Sequence, residues 1–196
     1  MTLSPARARD IMKSADLICD AAQVHAAVAR IANEINSALA EDHPLVIVVM
    51  RGAVVFAGQL LPQLNFPLDV DSIDATRYGD ATHGGEIIFR AMPVMAVAGR
   101  SVLLLDDILD EGITLQAIRD KLLSMGARKI TIAVLAEKHT GKSKPITADF
   151  TGLILPNRYV FGFGMDVHGY WRNLPAIYAM PTINATYATN QMAGGQ

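Results

Sequence analysis

One stretch constrains this chain more than any other: Leu103 to Leu115, LLLDDILDEGITL. The apolar run from Val102 to Leu105 passes directly into Asp106, Asp107, Ile108, Leu109, Asp110, Glu111, Gly112, Ile113 and Thr114. So short an unbroken apolar run suits a strand buried on both faces of a parallel sheet. From Thr114 the period changes, and Leu115, Ile118, Leu122 and Leu123 recur at helical spacing. The stretch therefore reads as strand, loop, helix. Gly112 permits a tight turn and a close approach of a ligand to the backbone. Free N–H groups at the helix start make an anion site, and ligands of open α/β sheets sit at the carboxyl ends of the strands.

The acids in the loop do different work. Asp106 and Asp107 are expected to close the strand and, by its alternation, to point to opposite faces. Carboxylates beside a phosphate site call for sugar hydroxyls or a magnesium ion between them, because bare carboxylates repel phosphate. Asp110, deeper in the loop, is placed to accept a proton. The same three acids fit equally well as solvated turn residues.

The rest of the chain repeats the strand–helix alternation. Residues 5–20 read as a short helical entry. Residues 21–40 read as an amphipathic helix with Val24, Val28, Ile31, Ile35 and Leu39 on one face, stopped by Asp42, His43 and Pro44. Leu45–Met50 is a second buried strand, running into Arg51-Gly52 and a helix from Ala53 to Leu61. Gly52 either shapes a second anion-binding turn or lets the helix pack closely on the sheet. Residues 68–75 read as a strand, residues 76–85 (TRYGDATHGG) as a loop, and residues 86–92 as the return strand of a hairpin. The loop is a surface tip or a lid over an active site. Gly126 is expected to cap the helix after the central loop. Ile130–Leu135 is a further buried strand leading to Lys138, and residues 149–155 and 158–163 read as two more. Residues 181–196 read as a frayed tail.

Composition narrows the function. The hydrophobic fraction is 51%, and the mean hydropathy is +0.27. No apolar run approaches the ~18–20 residues of a spanning helix, so a large core or a buried subunit interface is expected, with no membrane contact. The opening MTLSPARARDIMKSAD lacks an apolar signal core, which argues against secretion. Cys19 is the only cysteine. One thiol forms neither an internal disulfide nor a zinc cluster, which fits a cytoplasmic location. A net charge of −2, from 17 basic and 19 acidic residues, gives no support to a nucleic-acid surface.

DDILDEGITL resembles the phosphoribosyl-pyrophosphate (PRPP) binding motif of type I phosphoribosyltransferases: apolar strand, two acids, two apolar residues, an acid, then Thr-Gly-x-Thr. Glu111 departs from it, standing where the family usually has threonine. Residues 164–175, GMDVHGYWRNLP, together with Tyr159 and Val160, resemble the C-terminal signature of hypoxanthine-guanine phosphoribosyltransferases. The resemblance spans about residues 11–180. It implies an α/β fold, a mostly parallel twisted sheet flanked by helices. It further implies one domain, 1–196, with a small hood built from about residues 1–20 and 155–180.

The resemblance also assigns roles. Asp106, Asp107, Asp110, Glu111, Gly112, Ile113 and Thr114 would bind PRPP. Asp110 would be the catalytic base. Arg51, Gly52 and Arg172 would bind pyrophosphate, with the Met50–Arg51 peptide cis. Lys138, Tyr159, Val160 and Asp166 would hold the purine. Magnesium would meet Asp106, Asp107 and Asp166. Tyr78 matches the tyrosine of the family's flexible loop, and Arg77 replaces its serine. The partners implied are PRPP and hypoxanthine or guanine, in a homodimer or homotetramer. Two alternatives stand beside this one: a PRPP- or nucleotide-binding regulator on the same fold, and an enzyme preferring xanthine or adenine.

Overall fold

The buried apolar runs become the inner strands of a single sheet. A computed structural model of the chain describes residues 4–78 and 86–181. Its elements, in order, are α1 (Pro5–Ser14), β1 (Asp16–Cys19), α2 (Ala21–Leu39), β2 (Leu45–Met50), α3 (Ala53–Leu60), β3 (Asp69–Tyr78) and β4 (Glu86–Ala91). They continue with β5 (Ser101–Leu109), α4 (Ile113–Ser124), β6 (Lys129–His139), β7 (Phe150–Pro156), β8 (Val160–Phe161) and β9 (Ile177–Ala179).

The main sheet has the order β4-β3-β2-β5-β6-β7. All its pairings are parallel except β3 with β4, the expected hairpin. In β2 and β5, the residues Leu45–Val49 and Ser101–Asp106 are all buried, as strands with both faces covered must be. Their register puts Val48 beside Leu105, and Leu109 beside Glu137 on β6. The turn after β2, the loop after β5 and Lys138 near the end of β6 therefore share one edge of the sheet.

Helix α2 forms where its spacing requires. Asp20 and Gln23 make a reciprocal capping box, with bonds of 2.8 and 2.9 Å. Val24, Val28, Ile31, Ile35 and Leu39 are all buried, each worth about 1.5–3 kcal/mol of transfer free energy. Helix α4 ends in a Schellman turn, with Gly126 at φ 91° just past its last residues and Ala127 N–H bonded to the Leu122 carbonyl.

Several boundaries differ from expectation. Residues 16–19 form a strand rather than the end of a helix, because Ala15 is already extended and β1 pairs with β9. A second, three-stranded sheet of order β1-β9-β8 thus joins the two ends of the chain. The expected strand over 158–163 shrinks to Val160–Phe161, and β9 carried no sequence signal. The Asp106-Asp107 pair does not close β5, which continues to Leu109 because the ladder to β6 persists through Glu137. The hairpin loop starts later than expected: Arg77 and Tyr78 still belong to β3 and pair with Ile87 and Glu86. The remaining expected loop, 79–85, and the tail from 182 onward lie outside the described residues.

Candidate active site

Strand β5 carries its acids into the shared edge. Asp106 is 9% exposed, and its Oδ1 accepts the Asp107 N–H at 2.9 Å. The two side chains line different cavities, Asp106 with Thr114 and Asp107 with Asp166, while their carboxyls still interact. Burial, and then the Asp107 charge, push the Asp106 carboxyl well above the usual carboxylate range. Burial also raises Asp107, opposed by its bond to Asp106 and by Arg172. Of the two, Asp106 is the carboxyl pushed further up. Gly52 explains how Asp107 fits: a Cβ there would stand 1.8 Å from its Oδ2. The Arg51-Gly52 turn, entered through a cis Met50–Arg51 peptide, is pressed against this carboxylate, and Arg51 is exposed.

Past β5 the loop closes on Gly112, at φ 81°. A Cβ there would also crowd Ile146 at 3.0 Å, so glycine is required twice over. No side chain caps α4, so N–H groups of its first turn remain for a ligand. Asp110, Glu111, Gly112 and Thr114 line a cavity of about 210 Å³ with Asp106 and Arg77. Glu111 does not stand alone: its Oε2 meets Arg77 Nη1 at 2.5 Å, with 65% of the Glu111 side chain exposed. The two residues that break the family pattern are partners.

Asp110 pairs with Lys138, whose side chain is only 12% exposed. The pair lines a neighbouring cavity of about 240 Å³ with Asp107, Tyr159, Val160 and Asp166. Tyr159 is half-exposed and lies nearly parallel to His168, at 6.3 Å and 18°. Burial raises the Tyr159 hydroxyl above its usual range, and Asp166 adds to this. Asp166 is held at both oxygens, by Arg172 at 2.5 Å and by the Gly169 N–H at 2.6 Å. Arg172 also donates to the Gly164 carbonyl at 2.7 Å. Gly164 in turn packs on the turn after β2, where a Cβ would come within 2.1 Å of the Gly52 carbonyl. The C-terminal signature, the turn and β5 are therefore one packed unit.

The structure brings together Asp106, Asp107, Gly52 and Arg172 on one side, and Asp110, Lys138, Tyr159, Val160 and Asp166 on the other. Tyr78 is placed only by its backbone, at the end of β3. Among the described residues no three Asp, Glu, His or Cys side chains converge as a ready metal cage. Sequence reading missed Lys144. Its ammonium donates to the carbonyls of Leu109 and Lys138 and to Glu137, at 3.1, 2.7 and 2.9 Å. It ties together the strand ends that carry Asp110 and Lys138. Nothing near Lys144 in sequence announces this, since its partners lie on two strands.

Comparison with known proteins places the family and the fold. The profile of the phosphoribosyl transferase domain matches residues 14–168. The hypoxanthine-guanine phosphoribosyltransferase of Bacillus subtilis is 32% identical over 156 residues, 79% of this chain and 87% of that protein. The bifunctional protein TilS/HprT of Listeria monocytogenes is 32% identical over 151 residues, but the chain spans only 23% of its length. A solved hypoxanthine-guanine phosphoribosyltransferase of Bacillus anthracis superposes with a TM-score of 0.79 at 26% identity, covering 85% of this chain and 98% of that one.

Proposed function

This chain belongs to the phosphoribosyl transferase domain family, and from that premise we propose that it transfers 5-phosphoribosyl from PRPP to hypoxanthine or guanine in purine salvage. The products are IMP or GMP and pyrophosphate. One observation carries the reading: Lys138 and Asp110 stand side by side in a cavity bordered by Tyr159, one loop away from an uncapped helix start. A 6-oxopurine presents its exocyclic oxygen and its N7–H along one edge. A donor beside an acceptor matches that edge. Adenine would turn an amino group toward Lys138, which can only donate.

In this reading Tyr159 stacks on the base, and the Val160 main chain meets its far edge. Lys138 donates to the exocyclic oxygen while Asp110 accepts the N7 proton as the opposite ring nitrogen, N9, attacks the anomeric carbon. The N–H groups from Glu111 to Thr114 and the Thr114 hydroxyl hold the 5′-phosphate. As the carbon–oxygen bond breaks, negative charge grows on pyrophosphate. The Arg51-Gly52 turn and Arg172 are placed to meet it. Asp106 and Asp107 hold the ribose hydroxyls.

The hard oxygen donors of Asp106 and Asp107, buried together, fit a magnesium ion that takes its remaining ligands from phosphate and water. Bound there, the ion would neutralise charge on pyrophosphate. Asp166 can join it only by releasing Arg172 or the Gly169 N–H.

The assembly is a homodimer or homotetramer of cytoplasmic protein. Val94 and Ile154, 95% and 66% exposed, are among the apolar side chains that association would cover. No helix among the described residues is long and apolar enough to cross a membrane. A monomer by light scattering at micromolar concentration contradicts the assembly. An assay of PRPP with hypoxanthine, guanine, xanthine and adenine in competition tests the activity. IMP and GMP formation that chelator abolishes is the expected result. Turnover of adenine or xanthine in preference, or of no base, overturns it.

A further inference from the structure

The reading above leaves two charged side chains of the phosphate cavity without a role, Arg77 and Glu111. Arg77 is the single cation among the residues lining that cavity, against three acids, Asp106, Asp110 and Glu111. It also borders the adjoining cavity of about 540 Å³, with Asp110, Glu111 and Lys138. Its backbone is fixed in β3, opposite Ile87, and its side chain is 28% exposed. Asp110 already has Lys138 beside it, but a dianionic phosphate next to Glu111 still needs a cation close by. The backbone N–H groups of the loop carry only partial charge. Arg77 carries a full one, and a guanidinium has five N–H donors, enough to hold a carboxylate and a phosphate at once.

We propose that Arg77 is the phosphate-binding cation of this site and that Glu111 is its tether. In the free protein Arg77 neutralises Glu111, as the 2.5 Å contact shows. With ligand bound, the guanidinium bridges Glu111 and the 5′-phosphate, so the acid in the loop orients the cation instead of repelling the substrate. The two positions act as one unit, and neither is interpretable alone. This rests on the reading of the loop as a ribose 5-phosphate site.

The test is titration of IMP, inosine and ribose 5-phosphate into the wild type, Arg77→Ser, Glu111→Thr and the double variant, with a thermal melt of each. Arg77→Ser should weaken IMP and ribose 5-phosphate about tenfold or more, the size of a lost charge-assisted contact, and leave inosine unchanged. Glu111→Thr alone should change IMP affinity by less than about threefold. Added to Arg77→Ser, it should recover about threefold or more, because it removes a carboxylate left without its partner. Unchanged IMP affinity in Arg77→Ser overturns the proposal, as does an equal loss for IMP and inosine. Strictly independent effects of the two substitutions overturn the pairing. A wild type that binds ribose 5-phosphate but not IMP breaks the purine reading, and the Arg77 comparison still runs on the smaller ligand. Binding of neither phosphate ligand to the wild type defeats both.

Discussion

Two pairs of acids a few residues apart meet opposite electrostatic fates. Asp106 and Asp107 lie within β5, enclosed by the sheet, and the charge of Arg172 acts on Asp107 without acting on Asp106. Burial and mutual repulsion then favour a proton on Asp106. Asp110 and Glu111 lie in the loop beyond, and each has a cation of its own, Lys138 and Arg77. The difference comes from position, since the chemical groups are nearly identical. A strand interior can surround a carboxylate only with apolar side chains and backbone. A loop can reach the long basic side chains of neighbouring strands. The strand pair is thus left short of positive charge, which suits a magnesium ion. The loop pair is charge-balanced, which suits proton transfer and anion binding.

The comparison breaks most visibly at Asp110. Asp110→Asn keeps the shape but cannot take a proton, so kcat should fall about 10²–10⁴-fold with little change in the KM for PRPP. An unchanged kcat, with chemistry shown to limit the rate, would remove Asp110 from that role. Lys138→Ala should follow in size. Losing a charged donor is worth about 1.5–3 kcal/mol, read as weaker 6-oxopurine binding with PRPP binding nearly intact. Equal losses for both ligands would make Lys138 structural.

Asp106 sharpens the contrast through pH. Its folded carboxyl titrates above its unfolded value of about 3.9, so the fold prefers the neutral form. That preference stabilises fully below about pH 4 and is lost as pH rises through the raised folded value. Asp106→Asn should therefore melt higher than the wild type at pH 7–8. The gap should close toward pH 4, while activity falls. A gap that stays constant with pH would show that ionisation is not its cause. The smallest effect belongs to the exposed pair. Arg77–Glu111 should contribute no more than about 0.5 kcal/mol to stability, so Glu111→Thr should move Tm by about 2 °C or less. A larger drop would give the pair a structural role.

What sequence could show follows from the same distinction. β2, β5, α2 and the glycine loop were legible because each is written in consecutive residues: an apolar run, a helical period, an acid-glycine turn. The small sheet was not. Leu17 is 56% exposed and β1 is defined only by pairing with residues 177–179, so no local pattern marks either strand. The full lengths of β5 and β6 were hidden for a related reason: Asp106 and Asp107 interrupt the apolar run of β5 before the buried Leu109, and β6 ends in the polar Glu137, Lys138 and His139, held by ladder bonds. At the site, residue types were readable and partners were not. Glu111 and Arg77 stood out singly as departures from a motif, and only the fold brings them to 2.5 Å. Lys144 and the contact of Gly52 with Asp107 likewise depend on neighbours distant in sequence.

The order β1-β9-β8 carries a consequence for how the molecule is completed. β9 lies between the other two strands, and Trp171 reaches back to the Ala8 carbonyl at 2.7 Å. A chain emerging from the ribosome can assemble the phosphate loop while its base pocket still lacks a floor, because Tyr159 and Val160 are anchored only when β9 arrives and pairs. The final strand therefore acts as a completion check, and a chain cut short before Ile177 would retain an anion-binding loop without a place for the purine. Amide hydrogen exchange on such a truncated chain should find β1 and β8 unprotected while β2, β5 and β6 keep their protection.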